Sequence, residues 1–109
     1  MAVLLQRRGA DGIWGGLMCL PEFESKAALV RRARALGAGP VPLTSLPPRR
    51  HALTHLTLAI EPYVALTPAP ARAGDAERWR WVSFGDLDRA ALPAPHRALL
   101  RELRDRIGR

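Results

Sequence analysis

Hydrophobic and polar positions along the chain change period several times, and each change marks an element. Residues 2–6 are apolar up to Gln6, the pattern of a short strand buried on both faces. Arg7-Arg8 lead into a turn at Gly9-Ala10-Asp11-Gly12, and Gly15-Gly16 behind Trp14 let backbone approach backbone closely. A second short strand over residues 17–20 stops at Pro21. Ser25 then caps a helix over residues 26–36, with Leu29, Ala33 and Leu36 spaced for one buried stripe and Gly37 as the left-handed stop. Lys26, Arg31, Arg32 and Arg34 fall on its other side.

Residues 38–48 hold four prolines and read as a connection, with one extended piece near residues 41–43. The longest extended stretch is residues 51–66, expected as one bent strand with Leu56, Leu58 and Ile60 on one face and Pro62 at a bulge or edge. Residues 67–77, rich in Pro, Ala and Gly, read as a mobile loop, and residues 78–82 alternate as a strand. A short helical turn follows over residues 86–91. Pro93-Ala94-Pro95 introduce a last helix whose buried side is Leu99, Leu100, Leu103 and Ile107. The order of strands, helix, strands, helix predicts an α+β fold, a mixed sheet flanked by helices.

At 109 residues, 48% hydrophobic and 25% charged, the chain has the size and composition of a single domain with one core. Cys19 is the only cysteine, so an internal disulfide and a four-thiolate metal site are both excluded, and a reducing cytoplasm is the expected compartment. No signal peptide or membrane span is expected of the short apolar start. The net charge is +7, from seventeen Lys and Arg against ten Asp and Glu, and this points to polyanionic partners. A high-GC genome would also enrich Arg and Ala, so charge alone decides little.

Gly16, Glu22 and Gly37 stand at the spacing of the Nudix box, Gly-x5-Glu-x7-Arg-Glu-x-x-Glu-Glu-x-Gly, so this part of the chain resembles the Nudix hydrolases. In that motif helix carboxylates hold Mg²⁺ against a pyrophosphate and activate water. Here the corresponding positions are Val30, Arg31, Arg34 and Ala35. Cations at Arg31 and Arg34 repel a metal ion, so no catalytic residue and no metal site is expected. Both arginines fit a phosphate-facing surface better.

Residues 3–24 (VLLQRRGADGIWGGLMCLPEFE), 51–62 (HALTHLTLAIEP) and 92–103 (LPAPHRALLREL) together resemble the C-terminal domain of the MutY family of adenine DNA glycosylases, with Gly12-Ile13-Trp14-Gly15-Gly16-Leu17 as the most specific block. The resemblance implies a Nudix-like fold over residues 1–109 and a role in base excision repair. In that family an N-terminal helix-hairpin-helix domain with a 4Fe–4S cluster flips out adenine mispaired with 8-oxoguanine and cleaves its glycosidic bond. The C-terminal domain reads the oxidised guanine. The chain is therefore expected to be a piece of a longer glycosylase, without cofactor of its own. Its implied partners are the N-terminal glycosylase domain and nucleoid DNA carrying 8-oxoguanine opposite adenine.

The family's lesion-reading tripeptide, Phe-Ser-His and often varied, falls here on Leu53-Thr54-His55. 8-Oxoguanine carries a hydrogen on N7 beside a new carbonyl, and a hydroxyl such as that of Thr54 both accepts and donates. Leu53 keeps an apolar wedge but forfeits ring stacking, and His55 could donate to phosphate or base. Arg7, Arg8, Arg49 and Arg50 flank the two loops expected to approach DNA. Without the resemblance, Leu53, Thr54 and His55 are ordinary strand residues, His51 is structural, and Trp14, Trp79 and Trp81 are packing residues. A small Nudix hydrolase acting on oxidised nucleotides and a general basic docking module for DNA or proteins remain the competing readings.

Overall fold

A computed structural model of the chain describes residues 2–37, 43–54, 56–67 and 77–107. Contacts divide it into two compact units, one formed by Met1–Glu22 and Pro70–Arg109, the other by Phe23–Ala69.

The first unit is built on strand β1 (Ala2–Arg7), flanked by β2 (Met18–Cys19) and β7 (Trp79–Ser83) in the order β2-β1-β7, all antiparallel. The apolar run expected as a strand is thus the central strand, with Leu5 fully buried. The turn between β1 and β2 depends on glycine as the sequence suggested. Gly12 and Gly16 have φ of 88° and 79°, and a Cβ on Gly15 would collide with the backbone carbonyl of Ala10. Strand β7 leads into a 3-10 helix, Phe84–Arg89, and then into helix α2 (Ala94–Ile107). Leu99 and Leu100 of the expected stripe are buried and Leu103 is half-buried, and Leu87 of the 3-10 helix is buried as well.

The second unit opens with helix α1 (Lys26–Ala35). The Ser25 hydroxyl accepts the Ala28 N–H at 3.1 Å, and Gly37 at φ 93° donates to the Arg34 carbonyl at 2.9 Å, so both predicted helix boundaries hold. Ala33 and Leu36 are buried. Lys26, expected on the solvent side, lies 4.9 Å from the centroid of the Tyr63 ring.

The stretch 51–66 departs from expectation: it is a hairpin followed by a separate short strand. Strand β4 (Arg49–Ala52) pairs with β5 (Thr57–Ile60), and β6 (Tyr63–Val64) pairs instead with β3 (Thr44–Ser45). Pro62 interrupts the donors between β5 and β6, where its own carbonyl accepts the N–H of the buried Leu46 at 3.0 Å. Residues 41 and 42 of the extended piece expected near 41–43 lie outside the described residues, as do the rest of 38–42 and residues 68–76 of the expected loop; a two-residue strand, β3, follows at Thr44–Ser45. The α+β class is as read from the sequence, and every described strand pairing is antiparallel. No helix among the described residues is long and apolar enough to cross a membrane.

Candidate nucleic-acid interface

Four of the residues singled out from the sequence belong to one hairpin of the second unit. The antiparallel register pairs Arg49 with Ile60, Arg50 with Ala59, His51 with Leu58 and Ala52 with Thr57. Side chains alternate, so Arg49, His51, Leu58 and Ile60 share the half-buried face, while Arg50, Ala52, Thr57 and Ala59 share the exposed one. The Leu53 N–H donates to the Leu56 carbonyl at 2.7 Å, which carries the register one pair further. Leu53 therefore sits on the half-buried face and Thr54 at the exposed tip. His55 lies outside the described residues.

This geometry gives the hairpin two chemical ends. At its base the Arg49 side chain is half-buried, while that of Arg50 projects into solvent with no ion pair among the described residues. At its tip a hydroxyl capable of both donating and accepting stands next to an aliphatic side chain. The exposed Leu56 adds apolar surface opposite Leu53.

Arg7 and Arg8 belong to the first unit, and both make internal contacts. Arg7 donates from Nε to the Glu77 carbonyl at 3.0 Å and from Nη1 to the Gly16 carbonyl at 2.8 Å. Arg8 pairs with Glu22, Nη1 to Oε1 at 2.6 Å, and its guanidinium lies 5.7 Å from the centroid of the Trp14 ring. The Arg8 side chain is only 27% exposed against 63% for Glu22, so it is the better enclosed member of a pair worth about 0.2–1 kcal/mol. Glu22 thus serves as the counter-ion of Arg8, and the charge of Arg8 is matched inside the unit.

Sequence reasoning missed His96. It is 4% exposed, and its Nδ1 accepts the Leu20 N–H at 3.1 Å. Its ring meets Trp14 edge to face, 5.2 Å between centroids at 67°. Burial pushes the His96 pKa down; Glu22 opposes that shift and Arg8 adds to it. Trp14 accordingly acts as a packing residue, with a left-handed φ of 56°. Beside this cluster Cys19 is fully buried, and burial chiefly raises its thiol pKa.

The donor set for a Nudix-type Mg²⁺ does not fit. Helix α1 carries no carboxylate in its sequence KAALVRRARA. Arg31 and Arg34 are exposed on it, and no cluster of three or more His, Cys, Asp or Glu gathers among the described residues.

Two similarities to known proteins bear on this site. A family model described as a NUDIX domain matches residues 1–102. Among solved structures, the C-terminal domain of mouse MUTYH, seen in a crystal structure of its complex with human PCNA, is similar to this chain with a TM-score of 0.72 and 25% sequence identity. The match covers 98% of this chain and 78% of that one.

Proposed function

Since the chain belongs to the Nudix domain family, yet bears arginines where its hydrolases bear metal-holding acids, we propose that it is the lesion-reading accessory domain of a MutY-type adenine DNA glycosylase. It binds duplex DNA containing 8-oxoguanine opposite adenine and leaves bond cleavage to a separate catalytic domain. The observation that carries this reading is the exposure of Thr54 at the tip of a hairpin whose base presents Arg50. The likeness to the MUTYH C-terminal domain supports the same assignment.

In this reading Thr54 faces the N7–H and the adjacent carbonyl of the lesion, Leu53 wedges beside it, and His55, Arg49 and Arg50 contact the neighbouring backbone. Arg7 adds a phosphate contact from the first unit, while Arg8 contributes less because Glu22 already balances it. The domain needs no metal or cofactor for this task. Protein contacts of the kind seen for the mouse domain with PCNA would add to DNA binding rather than replace it.

The test is the affinity for duplexes with 8-oxoguanine or guanine opposite adenine, measured by fluorescence anisotropy on the wild type and on Thr54→Ala. An unpaired lesion edge costs about 1–3 kcal/mol, so the wild type should prefer the lesion by about 5- to 150-fold and the variant should lose most of that preference. Arg50→Ala should weaken both duplexes alike and reduce the log-log salt slope by about 0.9. Equal affinities in all four protein–duplex combinations would refute direct lesion reading.

A further inference from the structure

An open groove of about 320 Å³ lies in the first unit, on one face of the β2-β1-β7 sheet. The register sets Leu5 opposite Arg80, Val3 opposite Val82 and Arg7 opposite Met18, so these side chains share that face. The segment that ends the 3-10 helix, from Arg89 onward, closes one side. The volume is at the lower end of the range for small ligand pockets, enough for one anchoring side chain and its flanks.

Among the described residues, three guanidinium groups line the groove, those of Arg7, Arg80 and Arg89, and no carboxylate does. The hydrogen bonds of Arg7 go to the backbone carbonyls of Glu77 and Gly16. Arg80 is exposed and has no ion pair among the described residues. Arg89 reaches Asp86 only at 3.8 Å and is itself 85% exposed, a weak pairing. Leu17, Met18 and Val82 also line the groove, and Leu17 is 37% exposed.

We propose that this groove docks an acidic peptide segment of a partner protein, its carboxylates on Arg80 and Arg89 and one apolar side chain on Leu17, Met18 and Val82. Guanidinium groups match carboxylates in fork geometry, and the apolar floor rewards a side chain that inserts. A nucleic-acid backbone satisfies the first condition but carries no aliphatic side chain for the second. Arg80 and Arg89 take no part in the hairpin chemistry of lesion reading, so the two proposals fail separately.

The experiment titrates ¹⁵N-labelled chain with short peptides that place acidic residues around one varied aliphatic or aromatic position. The controls are the same peptides with lysine in place of the acids, and an undamaged DNA duplex. The acidic peptides should shift the amides of Leu17, Met18, Arg80 and Ala90, and the lysine peptides should not. Arg80→Glu with Arg89→Glu alters only exposed side chains; it should weaken peptide binding about tenfold or more while the amides of Cys19 and Leu99 stay in place. The proposal is overturned if the acidic peptides leave those amides unmoved at ~1 mM, if the duplex shifts the amides of Arg80 and Ala90, away from Arg7, at equal or lower concentration, or if the double variant binds peptide as the wild type does.

Discussion

Replacing His96 by phenylalanine keeps a ring of similar shape against Trp14 but removes the acceptor for the Leu20 N–H. A buried donor left unsatisfied costs about 1–3 kcal/mol. His96→Ala also forfeits the aromatic contact, about 0.5–1.5 kcal/mol, and opens a cavity, so it should be the more damaging of the two. The pH dependence follows from the direction of the shift. His96 binds a proton less readily folded than unfolded, so below its ordinary pKa of ~6.5 the unfolded state takes up the proton first. The stability contributed by the neutral ring is therefore complete above that pH and is lost as pH falls toward the folded pKa. Phenylalanine does not titrate, so the gap between wild type and His96→Phe should narrow on acidification. Urea unfolding of both proteins at about pH 7.5 and again near pH 5 measures it directly. A His96→Phe protein as stable as the wild type at the higher pH, or a gap that does not change between the two, would refute the hydrogen-bond argument.

Two further substitutions or modifications follow from the same unit. Gly15→Ala should destabilise by about 1–3 kcal/mol, because its Cβ meets the Ala10 backbone rather than a movable side chain; a thermal melt unchanged from the wild type would mean that the turn yields freely. Cys19, fully buried with a raised thiol pKa, should resist alkylation in the native state and react at the rate of unfolding, so modification by iodoacetamide should accelerate in His96→Ala; rapid labelling of the folded wild type would contradict the burial.

Much of the fold could be read from individual residues. Ser25 and Gly37 delimit α1 because a cap and a left-handed stop are local chemistry, set by the residue itself and its nearest backbone. The hairpin between β4 and β5 was hidden for the opposite reason. Its connection runs Leu53-Thr54-His55-Leu56, without the glycine, asparagine or proline that ordinarily announces a tight turn, so the extended pattern of the sequence runs through it unbroken. His96 had a signal that was available. With Leu99, Leu100 and Leu103 it completes an i, i+3, i+4, i+7 stripe, which puts an imidazole on the inward side of α2, where a buried polar group needs a partner. The identity of that partner, a backbone N–H in a loop 76 residues away, is a tertiary fact that periodicity cannot supply. For the candidate interface, composition indicated cations in excess, but only the register separates Arg50, which projects outward, from Arg49 beside it.

The ribbon of β4 and β5 bonds, among the described residues, to no strand but itself. Its tip at Thr54 is exposed, unlike the buried Ala33 and Leu46 of the same unit. Exchange at position 54 should change stability by no more than about 0.5 kcal/mol, so a lineage is free to trial new side chains there. The scaffold can persist through such trials while the vocabulary at its fingertip is rewritten.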